Sequence, residues 1–423
     1  MIGARARGHE ASWGQRAVGL LKPLAGAMAC LIRGVLDRAS RRTSDKAPVR
    51  VLILLHRCEQ IGAAQSICAT IERLDPARFQ VIVASPGVGL LEPRMQRAGA
   101  QVITMPMLES ASSAWLTWPL LVWRLYHLIR RTRAHVVHVN FHTIAPPVVA
   151  AARLAGVPAI VHVRVILWLS WAQRWALRQA SRVICVSEVV RRTVCRPRRS
   201  DLLFRLDPRR CLVWHDGREL ARFQDAQRNG VRQALGIDAA SYLIGIIGTL
   251  EPNKRQDLFL RVAAEVAKEE PNARFLIVGE PNMAKHRWFQ DELLRLRDHL
   301  GLTRRAIFTG WRQDIPDLLK AMDLSLLLSK RDAFPGVLIE SMAAGVPVIS
   351  SAAGGGPEEV VGPCGLVLDS DDPLAYAKAV VGLLRDPATR RAMSEQGQQH
   401  VRRYDVTQTT PQLAALYEAI GHR

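Results

Sequence analysis

A chain of 423 residues with 48% hydrophobic content is long enough for two or three domains, each burying its own core. Residues 1–200 carry 29 Lys and Arg against 9 Asp and Glu, while 201–423 carry 29 against 29, so the whole formal charge of +20 lies in the first half. That asymmetry suits an anionic membrane surface or an anionic acceptor; no helix-turn-helix, zinc or RNA-binding pattern accompanies it, which argues against nucleic acid.

The first 14 residues read as disordered. From Gln15 to Arg42, Val18, Leu21, Leu24, Met28, Leu31, Ile32, Val35 and Leu36 recur at helical spacing, with Arg16, Lys22, Arg33, Arg38, Arg41 and Arg42 between them. The pattern suits a helix lying on an anionic membrane surface, with packing against the neighbouring domain as the alternative. Only ten uncharged residues separate Lys22 from Arg33, well short of the ~20 that a bilayer core requires. The same stretch makes a poor signal peptide. Residues 1–48 are therefore read as a basic tail, with Ser44–Pro48 as linker.

Val49–Leu55, apolar at every position but Arg50, is a run of the kind buried in a parallel sheet. A helix-length segment near 62–74 follows, then strand-like runs at 79–84, 100–104, 135–140, 158–163, 182–186 and 211–214. A polar stretch at 224–240 reads as the connection to a second series at 242–247, 274–278, 306–309, 324–328, 347–349 and 365–368. Strands alternating with helices at these lengths imply doubly wound parallel sheets. The domains are placed at 49–225 and 226–406, with a last helix over 407–423 crossing back onto the first. Two such domains face each other across a cleft at the carboxyl ends of their strands.

The seven cysteines (30, 58, 68, 185, 195, 211 and 364) form no Cys-x-x-Cys pair, and read as reduced thiols of a cytosolic protein. Six of the ten tryptophans fall between 115 and 175, and Trp168, Trp171 and Trp175 share a helical face near Arg164, Arg174 and Arg178. Such a face suits a membrane-interface or lipid-acceptor lip, or else plain core packing.

The stretch carrying most chemistry is Asp332-Ala-Phe-Pro-Gly-Val-Leu-Ile-Glu340, followed by Ser-Met-Ala-Ala-Gly345-Val-Pro347 and by Gly354-Gly-Gly-Pro-Glu358. Two carboxylates stand eight positions apart around a glycine that opens a helix. A helix N-terminus offers free amides to phosphate, and a carboxylate nearby accepts hydrogen bonds from sugar hydroxyls. The arrangement closely resembles the Glu-x7-Glu signature of family 4 glycosyltransferases, over roughly residues 49–421 and most strongly over 242–370.

The resemblance implies an α/β GT-B fold of two Rossmann-like domains, and transfer of a sugar from a nucleotide-diphosphate sugar with retention of configuration. It assigns Glu340 to the nucleotide ribose, the first carboxylate to the donor sugar, and the amides of Gly336, Val337 and Leu338 to the diphosphate. Asp332 stands where the family carries glutamate, a shortening of roughly 1.5 Å in reach. Gly248-Thr-Leu-Glu-Pro-Asn-Lys254 resembles the family's Gly-Arg-Leu-x-x-x-Lys turn. Lys254 matches its phosphate-binding lysine, but Thr249 replaces the arginine, and Arg255 is an open candidate for the lost cation. The turn at 354–358 resembles the donor-side Gly-Gly-x-Pro-Glu and adds Gly355 and Glu358.

In the first domain, Glu59-Gln-Ile-Gly62 resembles the glycine loop beside phosphate and acceptor. His138 and His142 lie near the end of one strand, and Val161-His162-Val-Arg164 ends the next. The resemblance puts His162 near the anomeric carbon, with a satisfied core histidine as the alternative. His138 and Arg164 are candidates on the acceptor side, Arg164 for an acceptor phosphate. Catalysis is thereby expected from His162, Asp332 and Lys254.

No metal or other cofactor is implied, because Asp369-Ser-Asp371-Asp372 falls in a surface turn. The expected partners are the nucleotide sugar, a saccharide or lipid-linked acceptor and an anionic membrane. The expected location is the cytoplasmic face of the plasma membrane, in cell-surface polysaccharide or glycolipid synthesis. The rival readings are a catalytically impaired, membrane-associated scaffold, motivated by Thr249 and Asp332 together, and a nucleotide-sugar epimerase on the same fold.

Overall fold

The computed structural model describes residues 47–56, 62–87, 89–106, 118–166, 169–196, 206–281 and 286–422, so the amphipathic segment 15–42, the loop residues 59–61 and Trp168 lie outside the described residues. Among the described residues, thirteen strands form two sheets. In the first are β1 (Val49–Leu54), β2 (Phe79–Ser85), β3 (Gln101–Thr104), β4 (Val136–Val139), β5 (Ala159–Val163), β6 (Arg182–Cys185) and β7 (Cys211–Val213), in the order β3-β2-β1-β4-β5-β6-β7. The second holds β8 (Tyr242–Ile247), β9 (Ala273–Val278), β10 (Ala306–Phe308), β11 (Leu324–Leu327), β12 (Val348–Ser351) and β13 (Leu366–Leu368), in the order β10-β9-β8-β11-β12-β13. Every ladder pairing within these sheets is parallel.

Each sheet order reverses beside its first strand, which opens a crevice at the carboxyl ends where the loops diverge. Both faces of each sheet are covered. Val51, Ile53, Ile160 and Ile184 lie in one buried cluster with Leu413, Tyr417 and Ile420 of the final helix Val406–Gly421. The chain thus crosses back onto the first sheet. The opposite face, with Leu52, Leu54, Val161 and Val163, belongs to a cluster that continues into the second sheet through Phe223, Phe334, Leu338 and Tyr404.

The stretch expected as a polar connection at 224–240 holds structure of its own. The short helix Asn229–Ala234 lies within it, and Ala221–Gln224 leads into it. Arg232, 5% exposed, donates to the Ala321 carbonyl at 2.9 Å and pairs with Asp323 at 3.4 Å. A buried cation with a matched partner fixes this segment, a gain that local polarity does not reveal.

None of the described helices is long and apolar enough to cross a membrane.

Candidate functional site

The site is built at the strand ends of the second sheet. Gly248, Gly279 and Gly310 follow β8, β9 and beyond β10, and their backbones meet: the Gly279 amide donates to the Gly310 carbonyl at 2.9 Å, and the Gly248 amide to the Val278 carbonyl at 3.0 Å. Gly279 has φ of +135°, and a Cβ there would stand 2.8 Å from the Gly248 carbonyl carbon, so only glycine fits this floor.

From that floor the turn after β8 brings Lys254 forward. Its Nζ pairs with Asp332 Oδ2 at 2.7 Å, with both side chains partly exposed. The two motifs read separately from the sequence are therefore one constellation. Asp332 is held in place because its amide donates to Ala353 O at 3.0 Å and because Gly356 permits close backbone packing: a Cβ on Gly356 would lie 2.7 Å from the Ala333 carbonyl carbon. Arg255 turns away from Lys254 and pairs with Asp371 beyond β13.

Immediately after this loop, the helix Gly336–Ala343 starts at Pro335, whose side chain can accept nothing, and no side chain caps it. Gly336 and Val337 are partly exposed there. Leu338 is fully buried, and its amide already donates to Pro335 O at 3.2 Å. An uncapped helix start carries roughly half a positive charge, which favours an anion. Glu340, one turn in, has its Oε1 3.2 Å from Arg218 Nε of the interdomain segment. Gly62, at the start of the helix Gly62–Ile71, lies beside the same guanidinium: a Cβ on Gly62 would be 3.3 Å from an Arg218 terminal nitrogen. Gly62, Gly336 and Glu340 thus converge on one point, and Lys254 and Asp332 form a pair.

On the donor-side turn, Gly355 (φ +100°) packs under Val189, so it joins the two domains. Glu358 is exposed, while the adjacent Glu359 reaches across. The carboxylate of Glu359 accepts from the Glu188 amide at 2.8 Å and from His215 Nε2 at 2.8 Å. Burial by itself would raise its pKa, but the hydrogen bonds from His215 and the Glu188 amide outweigh it, and the group sits below the usual glutamate range. His215 stacks on Phe334 at 5.1 Å, and Tyr404 meets both rings. The loop bearing Asp332 is thereby packed, through Phe334, against His215 and Tyr404.

Three first-domain candidates stand elsewhere. His138 and His162 are fully buried on the sheet face covered by Val406–Gly421. His138 Nδ1 meets Tyr417 Oη at 2.6 Å, and the His162 ring lies 5.8 Å from His138 and 5.4 Å from Trp214. Burial, and then the Arg164 charge, pushes His138 down to about 3 and His162 well below its ordinary value. His162 therefore faces the core layer and not the cleft; the alternative of a core histidine describes its position. Arg164, 7% exposed, is engaged on all sides: it pairs with Asp216 and donates to Asn140 Oδ1 at 2.8 Å and Asn140 O at 3.2 Å. Burial lowers its pKa, against the raising effect of Asp216. Its guanidinium organises the strand ends and does not join the tryptophan face. Of that face, Trp171 is 68% exposed whereas Trp175 packs on the core.

Sequence reasoning missed Arg218 and Glu359. The available signal was a basic residue directly after the Asp216-Gly217 turn, and a second carboxylate next to Glu358, turned about 100° around a short helix.

Comparison with known proteins agrees with this architecture. Residues 61–222 match the model described as Glycosyltransferase Family 4, and residues 241–386 match Glycosyl transferases group 1. The D-inositol 3-phosphate glycosyltransferase of Mycobacterium marinum is 32% identical over 225 residues, covering 52% of this chain and 47% of that protein. The Rhodococcus opacus enzyme of the same name is 30% identical over 253 residues, 57% and 56% respectively. The chain thus spans about half the length of the curated relatives it matches. Anabaena HepE, solved with UDP and glucose, superposes with a TM-score of 0.74 at 20% identity over 88% of this chain and 100% of that one. Sucrose-phosphate synthase from Thermosynechococcus elongatus gives 0.71 at 18% identity, over 88% and 98%. With both domain models matched in chain order and two parallel sheets facing across a cleft, the chain belongs to the family 4 glycosyltransferases of GT-B fold.

Proposed function

We propose that this protein transfers a hexose from a nucleotide-diphosphate sugar to a saccharide, polyol or lipid-linked acceptor, with retention of anomeric configuration. The observation that carries the reading is the Lys254–Asp332 pair set beside the uncapped start of the helix Gly336–Ala343. Lys254 and the amides of Gly336 and Val337 receive the donor diphosphate and stabilise the charge that grows on it as the glycosidic bond breaks. Asp332, freed from Lys254 by the incoming diphosphate, accepts hydrogen bonds from donor-sugar hydroxyls. Glu340 accepts from the ribose diol. The centre left behind is oxocarbenium-like, and the acceptor attacks it from the face the leaving group vacates.

UDP is the first nucleotide to try, because HepE of Anabaena was solved with UDP and with UDP-glucose. The name of the Mycobacterium relatives, D-inositol 3-phosphate glycosyltransferase, supports a phosphorylated polyol as an acceptor to test. The basic first half and exposed Trp123 and Trp171 favour work at an anionic membrane surface on the cytoplasmic side, supplying cell-surface glycans.

A thermal-shift screen of UDP, GDP and ADP, followed by turnover of the matching hexose donor, tests the reading. Stabilisation by one diphosphate and release of that diphosphate from its sugar are expected. No stabilisation by any of them, and no donor turnover with a saccharide, inositol phosphate or lipid acceptor, would favour the scaffold role.

A further inference from the structure

We propose that Arg218 is the second cation of the diphosphate site, a proposal that rests on the donor-binding reading above. Arg218 lies outside every motif of the sequence analysis. Its position is fixed by the backbone: its amide donates to Tyr404 O at 2.9 Å, and its carbonyl accepts from the Val406 amide at 2.9 Å, where the chain crosses back between domains. From there the side chain, 10% exposed, points at the start of the helix Gly336–Ala343. A Cβ on Gly336 would stand 2.7 Å from its Nε and 2.8 Å from its Cζ, so the guanidinium lies directly on that glycine. Gly62 of the opposite domain borders the same group.

A guanidinium in this place is electrostatically incomplete. The helix start is itself positive, and a cation gains nothing from it. Among the described residues, Arg218 Nε faces Glu340 Oε1 at 3.2 Å as an ion pair but makes no hydrogen bond, and Nη1 reaches its neighbour's carbonyl, Gly217 O, at 3.4 Å. Asp216 pairs through Oδ2 with Arg164 and forms no ion pair with Arg218. Among the described residues the counter-charge is Glu340, and the donor-binding reading gives Glu340 to the ribose. A buried cation that loses its carboxylate needs another anion at once. A diphosphate seated between Gly62 and Gly336 meets both the guanidinium fork and the free amides, the geometry for which arginine is suited. Arg218 thereby offsets the missing arginine at Thr249, a role that Arg255, paired with Asp371, does not take.

The experiment measures binding of UDP and UMP to the full chain by calorimetry, for the wild type, Arg218→Met, Arg218→Lys and Arg218→Met combined with Thr249→Arg. Loss of one charge-assisted bond weakens UDP binding about ten- to hundredfold. UMP, lacking the β-phosphate, should change less than about threefold, so the UDP-over-UMP preference collapses. Arg218→Lys should recover part of that preference, and Thr249→Arg on Arg218→Met should restore most of it. A merely structural role would weaken both nucleotides together, and that outcome overturns the proposal, as does an unchanged preference in either variant. If Arg218→Met does not fold, the preference in Arg218→Lys decides. Failure of the wild type to bind UDP, GDP or ADP overturns the donor reading and this proposal with it. Wild-type binding with an unaltered preference in the variants removes Arg218 alone.

Discussion

Replacing Glu359 by alanine should uncouple the two domains. Its carboxylate caps, from the second domain, the start of the first-domain helix Glu188–Cys195, where the Glu188 amide lies 2.8 Å from Oε2 and the Val189 amide 3.4 Å. The Ser187 side chain of that helix accepts only from Val190, at 3.4 Å, so the Glu188 amide depends on Glu359. A charge-assisted hydrogen bond contributes ~1.5–3 kcal/mol, and a partly buried carboxylate on a helix start up to ~2 kcal/mol. The side chains of Glu359 and His215 are 19% and 31% exposed, so water replaces part of what is lost. The net cost is then about 2–3 kcal/mol. For a two-domain chain this falls on the interdomain equilibrium before it reaches either core. Calorimetric scans at pH 7.5 should show the single wild-type transition broadening or splitting, and limited proteolysis should accelerate in 214–225.

The dependence on pH has a definite sign. Because the folded carboxyl titrates below its unfolded value of 4.5, the clamp is complete above that pH and fades as pH falls through the folded pKa. Glu359→Gln should lose this acid dependence while keeping part of the amide contact. Identical melting and identical proteolysis in Glu359→Ala and wild type would refute the clamp.

Four further substitutions test particular contacts. Glu340→Ala should weaken nucleotide-sugar binding by ~1–3 kcal/mol through loss of a charge-assisted pair to a diol; unchanged donor affinity by calorimetry would remove Glu340 from the ribose. Lys254→Ala should abolish donor turnover, and Asp332→Asn should lower kcat while leaving bare UDP affinity within about threefold, a split readable by steady-state kinetics beside calorimetry. For the buried histidines, folded values far below the unfolded 6.5 mean full stability above that pH and loss as pH falls below it. At pH 5.5 each costs ~1.4 kcal/mol; urea unfolding of His162→Leu at pH 7.5 and 5.5 should show a smaller drop than wild type, and equal drops would contradict the burial argument.

All thirteen described strands were legible in the chain because parallel strands covered on both faces are written as largely apolar runs, such as Val51–Leu54 and Phe275–Val278. Gly336 and the carboxylates around it were legible too, since a helix start and the residues one turn away from it are separated by fixed, short spacings. The same continuity hid which way His162 points. In a strand buried on both sides, no alternation of polar and apolar residues distinguishes the cleft end from the layer beneath the final helix. His162 follows the face of Ile160 and lands against Trp214, and Arg164, two positions on, is taken by Asp216.

The electrostatic partners were decided only by the tertiary fold. Arg218 meets Glu340 across 122 positions, and Glu359 meets the Glu188 amide across 171. Nothing local marks such pairs, because each residue alone is an ordinary surface charge whose cost of burial becomes visible only when the domains close on it. The sequence determined the strands, the helix start and the two motifs by short-range periodicity. Which charges those motifs face was settled by the crossing of the chain at 218 and 404–406, where the Arg218 amide donates to Tyr404 O and the Val406 amide donates to Arg218 O.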